Sequence, residues 1–203
     1  MRGKFIVIEG GEGAGKDANI DLLKADFPSE DIVWVKDPGG TKLGGQLREI
    51  VQHGENLARE TELFLFLASR AQLVHEVIEP ALQSGKHVIS NRFDLSTMAY
   101  QVYGRERVHL KESMVAVSKA ARGTAIPDLL IYLDIDPEVG LERAAKRNER
   151  TSRFEAEAVA FHSRVREGYR AHIGDYQHEI IDASRPLEEV YRDVKSAVAA
   201  LLS

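Results

Sequence analysis

The sequence predicts an α/β fold: a five-stranded parallel sheet with helices on both faces and a short lid. Three observations carry this. Five short apolar runs, residues 5–8, 32–35, 87–90, 129–133 and 179–181, are rich in branched side chains. Longer stretches with helical periodicity lie between them, and such alternation makes parallel sheets, because each parallel crossover consumes a helix. The first run also empties into Gly10-Gly11-Glu12-Gly13-Ala14-Gly15-Lys16, a strand-to-helix turn that fits the phosphate-binding pattern G-x-x-x-x-G-K.

Residues 16–25 form the helix after that turn. Residues 41–52 follow Asp37-Pro38-Gly39-Gly40, where proline and glycine supply turn geometry. Residues 60–83 make the longest helix, and Pro80, lacking an N–H and crowding the turn before it, is expected to bend the last turn. Residues 94–102, 110–121, 137–148, 155–173 and 186–202 complete the helices. In the last of these, Asp182 or Ser184 is placed to cap and Pro186 suits the first turn. No repeat or low-complexity linker divides the chain, so residues 1–203 read as one domain, with the lid at about 146–154.

At 203 residues the chain can bury one substantial core but is short for two. A net charge of -5 offers no broad electrostatic footprint for nucleic acid. With no cysteine there is neither a disulfide framework nor a thiolate metal site. Met1-Arg2-Gly3-Lys4 leads into an apolar run too short for a signal peptide or a membrane span. The expectation is a cytoplasmic protein that engages neither nucleic acid nor membrane.

The chemistry starts at the glycine turn. Glycines let successive backbone N–H groups face an anion, Lys16 adds a point charge, and the following helix contributes its unpaired N–H groups and positive dipole end. The pattern normally continues with Ser or Thr, whose hydroxyl ligates the nucleotide's magnesium ion. Here Asp17 stands in that place.

Ligands on such sheets gather at the carboxyl ends of the strands. Those ends carry Glu9-Gly10, Lys36-Asp37, Asn91-Arg92 and Asp134. Lys36-Asp37-Pro38-Gly39-Gly40-Thr41 is either a solvated turn or part of the site. Phe66 and Arg70, four apart on one helix face, are either an ordinary core aromatic with a neighbouring cation or a pair that reads a base. Arg92 lies just beyond the third strand, where it can meet phosphate opposite the glycine turn. Thr97 and Gln101 share a helix face beside Tyr100. Arg143, Lys146, Arg147, Arg150 and Arg153 form either a wet helix face or an arginine-rich flap that closes over phosphates.

With these motifs in place, the chain resembles the thymidylate kinase family, nucleoside monophosphate kinases of the P-loop NTPase-like fold. The matching segments are residues 6–16, Asp37-Pro38-Gly39-Gly40-Thr41, Phe66-Leu67-Ala68-Ser69-Arg70, residues 92–101, residues 127–134 and Asp182-Ala183-Ser184. They occur in the family's order and nearly fill the chain. The resemblance implies phosphoryl transfer from ATP with Mg2+ to dTMP, giving dTDP and ADP, by a homodimer. It implies that Gly10, Gly11, Glu12, Gly13, Ala14, Gly15, Lys16 and Asp17 hold ATP, with Arg143. Glu12 is implied to reach the dTMP 3′-hydroxyl, Phe66 to stack on thymine, and Arg70 to donate to a thymine carbonyl. Thr97 and Gln101 face the base edge, Tyr100 crowds the ribose 2′ position, and Arg92 sits between donor and acceptor phosphates. Lys36 and Asp37 belong to the acceptor side, Lys36 standing where an arginine usually contacts the dTMP phosphate. Lid arginines, Arg153 first and then Arg147 and Arg150, complete the catalytic set.

Three residues depart from the family pattern: Asp17 for the metal-binding hydroxyl, Asn91 for an aspartate, and Lys36 for the arginine. Asp17 is read as a magnesium ligand that partly replaces the missing groups. The other readings are a kinase for a different deoxypyrimidine monophosphate, and a nucleotide-binding regulatory protein with weak turnover. For the dimer, the apolar neighbourhoods of Phe64-Leu65 and Leu73-Val74 are the expected contributors.

Overall fold

The computed structural model describes residues 2–146 and 159–202. Five parallel strands are present: β1 (Phe5–Gly10), β2 (Ile32–Lys36), β3 (His87–Asn91), β4 (Leu129–Asp134) and β5 (His178–Asp182), in the order β2-β3-β1-β4-β5. All five coincide with the predicted runs, each extended by one or two residues. The sheet sorts its side chains by strand alternation. Phe5 and Val7 of β1 enter one core with Val88, Leu130 and Tyr132, packed against Leu73, Ile78, Phe93, Phe161 and Val165. Ile6 and Ile8 enter the opposite core with Ile89, Leu129, Ile131 and Leu133, covered by Ile20, Leu23, Val190, Val194 and Val198. Both faces of the sheet are therefore dry, as a parallel sheet demands.

The helices are α1 (Lys16–Asp26), α2 (Lys42–His53), α3 (Arg59–Leu73), α4 (Glu79–Gln83), α5 (Asp94–Thr97), α6 (Lys111–Arg122), α7 (Pro137–Lys146), α8 (Val159–His172) and α9 (Leu187–Leu202). Thr41 caps α2 by accepting from the N–H of Gly44 at 2.9 Å. The long predicted helix is not one α-helix bent at its end. Between α3 and α4 lies a π turn, Val74–Ile78, in which the N–H of Glu79 donates to the Val74 carbonyl. Widening the ladder just upstream accommodates Pro80, which has no N–H to give and crowds the preceding turn. A second π segment, Met98–Gly104, continues α5 where a plain helix was expected.

The last helix is also entered differently from expectation. Asp182 accepts from the backbone and the hydroxyl of Ser184, closing the turn before α9, while the Pro186 carbonyl accepts the first helical N–H groups. Leu73 and Val74 lie in the core, so they are not available to a dimer face; Phe64, 60% exposed, is. The expected lid, with Arg147, Arg150 and Arg153, lies outside the described residues, as do residues 147–148 and 155–158 of the two predicted helices flanking it. Among the described residues no helix is long and apolar enough to cross a membrane.

The chain leaves β1 toward β2 and leaves β3 for β4 on the other side of β1. The adjacent ends of β1 and β3 thus mark the crevice where the connections part, the usual ligand position in an open α/β sheet.

Candidate active site

Of the groups that the sequence places at the strand ends, Lys36, Asp37, Asn91 and Arg92 line one cavity of about 270 Å³. They share it with Glu12, Lys16, Asp17, Phe66, Arg70, Thr97, Tyr100 and Gln101. Four cations, Lys16, Lys36, Arg48 and Arg92, collect at the end nearest the glycine loop. Phe66, Arg70, Thr97 and Gln101 line the same cavity, Arg70 and Thr97 bonded to each other.

The loop itself is shaped by backbone approach. Gly13 has φ 68°, and a Cβ there would lie 1.9 Å from the Gly140 carbonyl oxygen, so the loop rests directly on α7. Ala14 fills the underside, in contact with the second core. Lys16 folds back onto the loop, donating to the carbonyls of Gly10 at 3.0 Å and Gly11 at 2.7 Å. Burial, and then the charge of Arg92, lower its pKa to about 7. An entering polyphosphate supplies the negative charge that this ammonium lacks.

Arg92 is held on every side. Its φ of 69° is unusual for a residue with a side chain and requires support from its surroundings. Its N–H bonds the Ile8 carbonyl at 3.0 Å, and its own carbonyl accepts from Ser90 Oγ at 2.7 Å. The guanidinium donates to the Gly10 carbonyl, Ser96 Oγ, Tyr169 Oη and Tyr100 Oη at 3.0 to 3.2 Å. Behind it Glu9, fully buried, accepts from the N–H groups of Phe93 and Ser96, from Ser96 Oγ at 2.5 Å and from Tyr169 Oη at 3.0 Å. Burial pushes the Glu9 carboxyl up, with Arg92 and these donors pulling the other way.

Arg70 is a fixed fork. Nε donates to Asp37 Oδ2 at 2.6 Å, and Nη2 donates to the Phe93 carbonyl at 3.0 Å and to Thr97 Oγ1 at 2.7 Å. Nη1 is left buried without a hydrogen-bond partner. That donor, in a side chain lining the cavity beside Phe66, is what a carbonyl of a flat heterocycle would satisfy. Asp37 serves as the anchor of Arg70; burial pushes its carboxyl up, and Arg70 opposes the shift.

The departure at Asp17 is resolved in an unexpected way. Its Oδ1 accepts from Asn91 Nδ2 at 2.7 Å and from Lys36 Nζ at 3.2 Å, so the three unusual residues form one cluster. Burial works against ionisation of Asp17, yet Lys36, joined by Lys16 and Arg92, holds the carboxyl below its ordinary value.

Arg143 stands apart from the cavity lining. Its guanidinium donates to the carbonyls of Ala183 and Ser184, both at 2.7 Å, tying α7 to the turn after β5. Asp134 likewise stands outside it, gripped by Arg166 and Arg170 of α8.

Sequence reasoning missed Arg48, Ser96 and Tyr169. Arg48 donates to the Pro38 carbonyl at 3.1 Å and lines the cavity. Its signal was present, since Gly44, Arg48 and Val51 share one face of α2. Tyr169, 77 positions from Arg92, gave none.

Four cations, an aromatic ring and a buried guanidinium lining one cavity, with a glycine phosphate loop alongside, suit one nucleotide meeting another. The class is that of the nucleoside monophosphate kinases. A family model for thymidylate kinase matches residues 8–194, and the chain belongs to that family. It is 43% identical to the thymidylate kinase of Pseudoalteromonas translucida, over 98% of this chain and 96% of the relative. Identity to the Oleidesulfovibrio alaskensis thymidylate kinase is 44%, over 96% and 97%. For the Clostridium novyi thymidylate kinase it is 39%, over 96% and 97%.

Proposed function

We propose that the chain transfers the terminal phosphoryl group of ATP to dTMP, releasing dTDP and ADP, as a step toward dTTP. The observation that supports this best is the buried, unpartnered Nη1 of Arg70 beside Phe66, in the cavity alongside the phosphate loop. Thymine offers a carbonyl to that donor and a face to that ring.

The acceptor phosphate is already anionic, so no general base is required, and catalysis is alignment plus charge neutralisation. The glycine-loop N–H groups and Lys16 hold the donor phosphates. Arg92, fixed by Glu9, Ser96 and Tyr169, lies against the Gly10 carbonyl, between that loop and the acceptor compartment. Arg48 and Lys36 draw the acceptor phosphate from the other side. Tyr100, whose hydroxyl accepts from Arg92 at 3.2 Å, stands against the sugar and favours a 2′-deoxy substrate. Gln101 adds a polar group at the base edge, and Glu12 takes the 3′-hydroxyl. Arg147, Arg150 and Arg153, outside the described residues, are assigned to neutralising charge on the phosphates, and Arg143 to the ATP side.

Magnesium, when bound, neutralises charge on the ATP phosphates. Among the described residues no group of three or more His, Asp or Glu is gathered for a metal, and nucleotide-bound magnesium needs none, since one or two carboxylates join phosphate oxygens and waters. Asp17 fits that role: its second oxygen is free of Lys36 and Asn91, and its side chain is exposed at the cavity edge. The protein works in the cytoplasm as a homodimer, with the exposed Phe64 on its interface.

The test is ADP release measured with dTMP, dUMP, dCMP and dGMP in turn. Release should depend on added dTMP far more than on the others. ATP binding without acceptor-dependent release would leave a regulatory nucleotide binder instead. Asp17→Asn should raise the magnesium requirement; an unchanged magnesium profile rejects Asp17 as ligand.

A further inference from the structure

Lys36 and Asn91 are paired neighbours at the ends of β2 and β3, so their side chains leave the sheet rim together. Asp17, in the first turn of α1, places a single oxygen over both of them. Asn91 spends its amide donor on Asp17, and its own Oδ1 is left buried without a partner, in a residue that lines the same cavity. The cluster is matched as a unit. An aspartate at position 91 would set two carboxylates against each other at hydrogen-bond distance, which takes a shared proton or a bridging cation to relieve. A hydroxyl at position 17 would leave Lys36 without its counter-charge.

We propose that Asp17 is a keeper of Lys36: it competes with the acceptor phosphate for the Lys36 ammonium and so sets the affinity for the phosphate of a nucleoside monophosphate. Lys36 Nζ donates to Asp17 Oδ1 at 3.2 Å, in a side chain that lines the cavity. A dianionic phosphate arriving among Arg48, Arg92 and Lys36 has to draw that ammonium away or share it with a carboxylate. The exchange is feasible because the Asp17 side chain is largely exposed and that of Lys36 is partly so, which keeps the cost of opening the pair low. Lysine suits this role, because a compact charge on a flexible stem swings between partners, whereas a forked guanidinium tends to hold its carboxylate through two bonds. The keeper acts on the phosphate alone and leaves the base compartment, built on Arg70 and Phe66, untouched.

The proposal rests on the dTMP reading for the identity of the acceptor, but not on any metal role of Asp17. It is tested by calorimetric titration of dTMP and of thymidine into metal-free enzyme without ATP. Asp17→Asn should tighten dTMP binding about two- to fivefold, the range an exposed ion pair is worth. Thymidine, which has no phosphate, should bind wild type and variant alike.

The decisive comparison uses Lys36→Met, which removes the ammonium and keeps the stem. In that background Asp17→Asn should no longer change dTMP affinity. If Asp17→Asn tightens dTMP equally with and without Lys36, the carboxylate acts by direct repulsion of the phosphate and the keeper is overturned. Unchanged dTMP affinity in the single variant also overturns it while leaving the kinase reading intact. Failure of wild type to bind dTMP at all removes both.

Discussion

The cavity contains two cation–carboxylate pairs of opposite character. Arg70 and Asp37 meet at 2.6 Å with side chains 2% and 0% exposed; Lys36 and Asp17, beside the glycine loop, meet at 3.2 Å with 43% and 69% exposed. Each pair includes a neighbour on the same stretch, Lys36 and Asp37, which face different partners. Breaking the buried pair strands a charge in a dry environment, so Arg70 stays fixed whether or not substrate is present. Breaking the exposed pair returns both charges to water and phosphate, so Lys36 can change partners. Under the proposed function, a neutral base of fixed shape would meet a rigid template, and a mobile dianionic phosphate would meet a cation that can follow it.

The largest effect should come from the rigid pair. Asp37→Ala strips buried Arg70 of its hydrogen-bonded counter-ion, leaving only the field of Asp94, and should cost about 3–5 kcal/mol of folding stability, read from urea unfolding. A loss below about 1 kcal/mol would mean that water reaches Arg70 and the template is not dry. Next is the support behind Arg92. Tyr169→Phe removes a hydroxyl bonded to Arg92, Glu9 and Ser96, and should slow turnover by about tenfold or more, since hydrogen bonds to charged groups contribute about 1.5–3 kcal/mol. The loss should fall on kcat rather than on KM for dTMP if Arg92 matters most in the transition state.

An intermediate case sharpens the contrast. Asp134 lies between the two pairs in exposure and is gripped by Arg166 at 2.8 Å and Arg170 at 2.6 Å. Burial raises its pKa, but the two guanidinium groups prevail and hold the carboxyl below its ordinary value. A depressed carboxylate contributes stability that is fully present above its unfolded pKa of about 3.9 and is lost as pH falls through the folded value. The thermal unfolding midpoint should therefore fall as pH drops below about 5, and Asp134→Asn should flatten that acid limb. An unaltered limb would place the acid sensitivity elsewhere. The smallest effect belongs to the exposed pair itself: Asp17→Asn should change unfolding free energy by less than about 1 kcal/mol, while changing dTMP affinity as described above. A large loss of stability would make Asp17 a structural residue.

Much of this was readable from the residues in order. The phosphate loop is a continuous motif, and its glycines declare their conformational purpose locally. The five strands were visible because branched apolar runs between helical stretches have few other uses. Arg70 and Phe66 were visible as a pair because four residues of helix bring them to one face. The helix boundaries were less legible: the π segments at 74–78 and 98–104 answer to Pro80 and to packing against α8, neither of which alters the periodicity of apolar residues. Leu73 and Val74 read equally as surface or core, and only the sheet beneath them decides.

Taken alone, the sequence determined the fold class, the phosphate loop and the break in its pattern at Asp17, because strand alternation, glycine turns and helix faces are short-range properties. That Lys36 and Asn91 are also departures came from the resemblance to the thymidylate kinase family. The sequence did not determine that those three positions touch. Asp17 lies 19 residues from Lys36 and 74 from Asn91, and Arg70 lies 33 from Asp37. Only the strand order β2-β3-β1 brings the ends of these segments to one rim. Tertiary structure decided which carboxylate faces which cation, and burial decided which of those pairs can open.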